Sequence, residues 1–89
     1  METFLFMFFT YILYSKSIDK YYVGHTGQTL DERLKKHLSN HKDFTGWVKD
    51  WTVYHYEVYD TKSQAYKREL EIKSKKSRKF IEGLKSSTG

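Results

Sequence analysis

The sequence predicts an α+β fold: a small three-stranded antiparallel sheet flanked by helices, in the order β-β-α-β-α-α. Three observations lead there. Residues 4–14 are almost all apolar or aromatic, the composition of a strand buried on both faces. Trp51–Tyr59 (WTVYHYEVY) alternates roughly and is rich in aromatic and β-branched residues. Two capping-box signatures, Thr29 with Glu32 and Thr61 with Gln64, each open a helix-forming run.

Taken in order, Met1–Phe6 is an N-terminal extension or the start of the first strand, and residues 7–84 form the single domain. Ser15–Lys20 is polar and turn-like, and Tyr21–Gly24 is a second short β-rich run, so the two runs make a hairpin. Gly24 is expected to end that strand, where a close backbone approach or an unusual φ is needed. A loop around Gly27 leads to Thr29 at the N-cap of a helix running to about Ser39. Leu30, Leu34 and Leu38 recur every four residues and form its buried stripe, while Arg33 and His37 stack on a neighbouring face. Asn40–Asp50 reads as a polar loop before the third strand. The helix opened by Thr61 runs to about Lys75, and Ser77 caps a short last helix with Phe80, Ile81 and Leu84 on one side. Lys85–Gly89 reads as a disordered tail.

A chain of 89 residues has room for one core and a shallow site, because it buries only about 60–65% of its unfolded surface. Without cysteine there is no disulfide, cysteine metal site or thiol chemistry, which suits a cytoplasmic location. Lys and Arg outnumber Asp and Glu by 16 to 11, a net charge of +5 that favours a polyanionic partner. The run FLFMFF is preceded by Glu2 and by no Lys or Arg, and the apolar stretch is too short to span a bilayer. It is read as a strand, with no membrane association expected.

Four segments together resemble the GIY-YIG nucleases. Phe9-Thr10-Tyr11 and Tyr22-Val23-Gly24 are similar to the paired motifs that name the family, with Phe9 in place of the first glycine. Leu30–His37 looks like the family's Arg-bearing helix, and Ala65–Lys73 like its metal-binding helix. The resemblance covers about residues 7–84 and is nearest to short, single-domain bacterial endonucleases. The loop between Gly24 and Arg33 is about one residue longer than in the excision-repair members, and the C-terminal Asn of several relatives has no counterpart after Glu69.

The resemblance implies an endonuclease that hydrolyses DNA phosphodiester bonds with low sequence specificity, selecting by DNA structure, and aided by Mg²⁺ or Mn²⁺. It assigns metal binding to Glu69, phosphate clamping to Arg33, and general-base or water-positioning work to Tyr22, with Tyr11 beside it. His37 would share base or proton-relay work, and His25 matches a polar position near the phosphate. Lys36, Lys42, Arg68, Lys73 and Lys76 would contact the DNA backbone. Each assignment has an ordinary alternative. Glu69 pairs with Lys73 four residues on as a solvated ion pair, Arg33 is a surface cation, and the two tyrosines are core residues with one satisfied hydroxyl. The competing reading of the whole chain is a non-catalytic nucleic-acid-binding module, or one that docks on a larger repair or recombination assembly.

Overall fold

The first apolar run is uninterrupted because its strand lies in the middle of the sheet. A computed structural model describes residues 7–39 and 48–88, apart from the side chains of residues 37, 39 and 86–88. The elements are strands β1 (Phe8–Ser15) and β2 (Lys20–Thr26), helix α1 (Leu30–Ser39), strand β3 (Trp51–Tyr59), and helices α2 (Lys62–Lys75) and α3 (Arg78–Thr88). The sheet is antiparallel throughout, as the sequence predicts, and its strand order is β2-β1-β3. The readings made for Met1–Phe6 and for most of the polar loop, Lys42 included, lie outside the described residues.

Helices cover both faces of β1, so both alternating sets of its side chains are buried. On one face Tyr11, Leu13, Val48 and Trp51 pack with Tyr22 and with the predicted stripe Leu30, Leu34 and Leu38 of α1. On the other, Ile12, Val23 and Ile72 pack with Tyr21, Tyr54, Phe80, Ile81 and Leu84, bringing in α2 and α3. Fully burying one such side chain contributes roughly 1.5–3 kcal/mol, so the two clusters hold the helices on the sheet. A bulge explains the imperfect alternation of β3. Ile12 pairs with His55 but Leu13 with Val53, leaving Tyr54 as the extra residue, turned into the α2–α3 side.

The caps form as expected. Thr61 Oγ1 accepts from the Gln64 amide at 3.2 Å while Gln64 Oε1 accepts from the Thr61 amide at 3.2 Å. Thr29 Oγ1 accepts from the Glu32 amide at 3.1 Å, and Ser77 Oγ from the Phe80 amide at 3.1 Å. Between α2 and α3, Lys76 takes a left-handed conformation with φ of 47° and its amide closes on the Lys73 carbonyl at 3.2 Å.

Two boundaries differ from the sequence reading. Gly24 lies inside β2, paired with Tyr11, and not at its end; no described glycine has positive φ, so its role is in packing. Helix α3 continues past Leu84 to Thr88, since nothing in Lys85-Ser86-Ser87-Thr88 interrupts a helix.

A polar knot pins α2 to the edge strand β3. Arg68 donates from Nε and Nη2 to the two oxygens of Glu57 at 2.8 and 3.2 Å. Tyr59 donates to Glu57 Oε1 at 2.6 Å, and His55 Nε2 lies 2.9 Å from Oε2. Burial pushes the Glu57 pKa up, but the bonds from Arg68, His55 and Tyr59 outweigh it and hold the carboxyl at about 2, against an ordinary 4.5. A depressed folded-state pKa makes a stabilisation that is complete above the unfolded value and is lost as pH falls through the folded one. The melting temperature is therefore expected to fall between about pH 4.5 and about pH 2. Glu57→Gln should melt lower at pH 6 and lose less on acidification. A melting-temperature series over pH 6 to 2.5 checks this, and parallel curves for the two proteins would refute it.

Candidate active site

Five chemically competent side chains reach one cleft of 190 Å³ from four different elements. Tyr11 comes from β1, Tyr22 and His25 from β2, Arg33 from α1 and Glu69 from α2, with Gly24 forming the floor between them. The cleft opens beside β2, where helices from both sheet faces can reach past one strand.

Gly24 makes the convergence possible. A Cβ built there would stand 2.6 Å from the Tyr11 hydroxyl oxygen and 2.8 Å from Cζ, closer than such atoms approach. The Tyr11 ring thus lies across the one residue of β2 that lacks a side chain, and its hydroxyl accepts a bond from Arg33 Nε at 3.1 Å. Its ring stacks with Tyr22 at a centroid distance of 6.5 Å and an interplanar angle of 28°. Gly24→Ala is expected to cost about 1–3 kcal/mol through overpacking of Tyr11 and to break the Tyr11–Arg33 bond. Thermal melts and cleavage assays on the variant check it; wild-type stability together with wild-type cleavage would show that the close approach has no consequence.

Tyr11 is almost wholly buried, and burial raises its hydroxyl pKa above 10.0 against the lowering influence of Arg33. Tyr11 is therefore a neutral phenol at physiological pH. Its bond in turn raises the Arg33 pKa, so the guanidinium stays charged.

Glu69 is the carboxylate that turns into the cleft. It is 8% exposed, with Oε1 at 2.6 Å from His25 Nδ1 and Oε2 at 2.6 Å from Lys73 Nζ. Two neighbouring carboxylates are committed elsewhere. Glu57 belongs to the knot on β3, and Glu71 is exposed and pairs with Arg68 Nη1 at 2.9 Å. Glu71 points away from Glu69 because two residues rotate a helix by about 200°.

The basic residues separate. Lys73 joins the site through Glu69. Arg68 is turned inward, gripped by Glu57 and Glu71 with its guanidinium 6.0 Å from the Phe80 ring centroid. Lys36 is exposed on α1, and Lys76 is exposed at the cap of α2. His37 follows Arg33 by one turn in α1, with its side chain outside the described residues, as is the whole of Lys42.

Among the described residues, no group of three or more His, Cys, Asp and Glu gathers to hold a metal. The donor set nevertheless suits one hard cation: a single carboxylate in a phosphate-sized cleft, where water and substrate oxygens complete the shell. Lys73, half exposed, already places a positive charge against Glu69.

The sequence reading did not single out Tyr66 and Lys62, which line a hollow beside the cleft together with His25. Both lie on the same side of α2 as Glu69, with Tyr66 one turn before it, and the 3.6-residue period counted back from Glu69 would have found them.

Among the described residues, no helix is long and apolar enough to cross a membrane. A family model described as the GIY-YIG catalytic domain matches residues 7–82. Neither the curated proteins nor the solved structures contained a match.

Proposed function

The chain belongs to the GIY-YIG family, whose catalytic domain is of the nuclease type, and from that premise we propose that it is a metal-dependent endonuclease that hydrolyses DNA phosphodiester bonds with low sequence specificity. The observation that carries this reading is the convergence of Tyr11, Tyr22, Arg33 and Glu69 in one cleft. Nucleic-acid binding alone does not require a buried carboxylate facing an arginine and two phenols.

Hydrolysis needs a water made nucleophilic, relief of charge on the phosphate and a stabilised leaving oxygen. Arg33 grips the scissile phosphate with the outer fork of its guanidinium. Tyr11 fixes the fork's orientation by taking Nε, and the stacked rings of Tyr11 and Tyr22 set the spacing between clamp and base. Tyr22 positions the attacking water through its hydroxyl, whose own proton must pass to solvent before it can take the proton of the water. Glu69, oriented by His25, holds Mg²⁺ or Mn²⁺, which supplies electrostatic stabilisation to the leaving oxygen when bound. Lys73 is half exposed, so its ammonium can leave Glu69 for solvent or for a DNA phosphate. Lys36 and Lys76 lie exposed for backbone contacts. These groups address phosphate rather than base edges, and that supports weak sequence discrimination.

The test is cleavage of end-labelled DNA in duplex, flap, fork, four-way junction and single-stranded forms, with Mg²⁺ or Mn²⁺ and with chelator. Cutting that needs metal is the expected result. Binding without cutting on every substrate would replace this reading with that of a non-catalytic nucleic-acid-binding module.

A further inference from the structure

Next to the catalytic cleft lies a larger hollow that the hydrolytic machinery does not use. It measures 470 Å³ and is lined by His25, Lys62, Ser63 and Tyr66. His25 lines both, so the hollow continues the cleft along the first turns of α2. Lys62, Tyr66, Glu69 and Lys73 recur at four-, three- and four-residue steps, which places all four on one stripe of that helix.

Tyr66 is 47% exposed beside the charged site. Its ring is held by His25, with centroids 5.2 Å apart and an interplanar angle of 54°, and His25 is in turn held by Glu69. An aromatic face is thereby fixed three residues before the catalytic carboxylate, about 4.5 Å of helix rise. A phosphodiester in the cleft brings a nucleotide to either side of it. An aromatic wall with a lysine at its far end matches the composition of that nucleotide, with a flat base against the ring and the next phosphate at Lys62.

We propose that this hollow is a nucleobase subsite, in which Tyr66 stacks with an unpaired base flanking the scissile phosphate and Lys62 receives the adjoining phosphate. The proposal rests on the nuclease reading of the cleft and adds what selects the substrate. A base inside a duplex reaches Tyr66 only after leaving its stack, so substrates with an unpaired nucleotide beside the cut are favoured over intact duplex.

The experiment uses the full chain carrying Glu69→Gln to prevent cutting, with single-stranded DNA containing one 2-aminopurine moved stepwise along the strand. Stacking on Tyr66 quenches the fluorescence at one register. Tyr66→Ala is expected to abolish that quench and weaken binding roughly 5- to 150-fold. Tyr66→Phe should retain both properties. Tyr66→Leu, which keeps apolar packing against His25 but lacks a π face, should behave as Ala. Equal quenching and affinity across the four proteins would overturn the subsite. Separate failure of the parent chain to cut any substrate with metal would overturn the nuclease reading instead, so the two are distinguished.

Discussion

Glu69→Ala is expected to lower metal-dependent DNA cleavage by roughly 10³-fold or more, because a bound cation supplies several kcal/mol of transition-state stabilisation and each 1.4 kcal/mol is tenfold. Glu69 is the carboxylate lining the cleft, while Glu57 and Glu71 are engaged by Arg68 outside it. DNA affinity should be unchanged or higher, since a negative charge is removed beside the phosphate path. The fold should survive. Lys73 is half exposed and can return to solvent, and Glu69→Gln preserves volume and a hydrogen bond to His25 while losing the charge. Single-turnover cleavage, DNA binding and Mn²⁺ binding measured on both variants give the answer. Cleavage by both within tenfold of wild type would remove Glu69 from the chemistry.

Arg33→Ala is expected to reduce the single-turnover rate by about 10²–10³-fold, the effect of deleting one preorganised donor aimed at developing charge. Two losses combine there: the clamp on the phosphate and the bond that holds the Tyr11 hydroxyl at 3.1 Å. Arg33→Lys should not restore the rate. An ammonium cannot bond Tyr11 through Nε and fork onto two phosphate oxygens at once. The deficit should lie mainly in the chemical step, with a modest loss of affinity and a shallower salt dependence from one fewer phosphate contact. Wild-type cleavage by Arg33→Lys would show that a point charge suffices and that the Tyr11–Arg33 pairing is incidental.

The sequence was most legible where one local rule governed the outcome. The α+β order, the hairpin, the bounds of β3 and α2 and the reciprocal cap of Thr61 and Gln64 all follow from periodicity and capping chemistry, which act over a few residues. The tail after Leu84 was harder to read because its polar composition suits both a loop and an exposed helical turn.

Which of the singled-out side chains share a cleft was legible only in part, and their wiring was not legible at all. Tyr11, Tyr22, His25, Arg33 and Glu69 could be singled out by motif, and they line one cleft. That His25 rather than solvent orients Glu69 could not be read, because the two are 44 residues apart and meet only when α2 packs on β2. The same holds for Arg68. Its position in a Lys-rich helix suggested a phosphate contact, whereas Glu57, eleven residues earlier on the neighbouring strand, takes up its guanidinium.

By itself, then, the sequence determined which residues alternate, which turns cap and which side chains are chemically equipped, since these depend on neighbours within about one helical turn or one strand pair. The tertiary structure decided which of those side chains face each other. Sheet order put β1 between its partners, pairing set Tyr11 opposite Gly24, and the missing Cβ there let the phenol cross to Arg33. Hydrogen bonds and close ion pairs form at about 3 Å in space and ignore separation along the chain, so the same local signals are compatible with several partner sets until packing selects one.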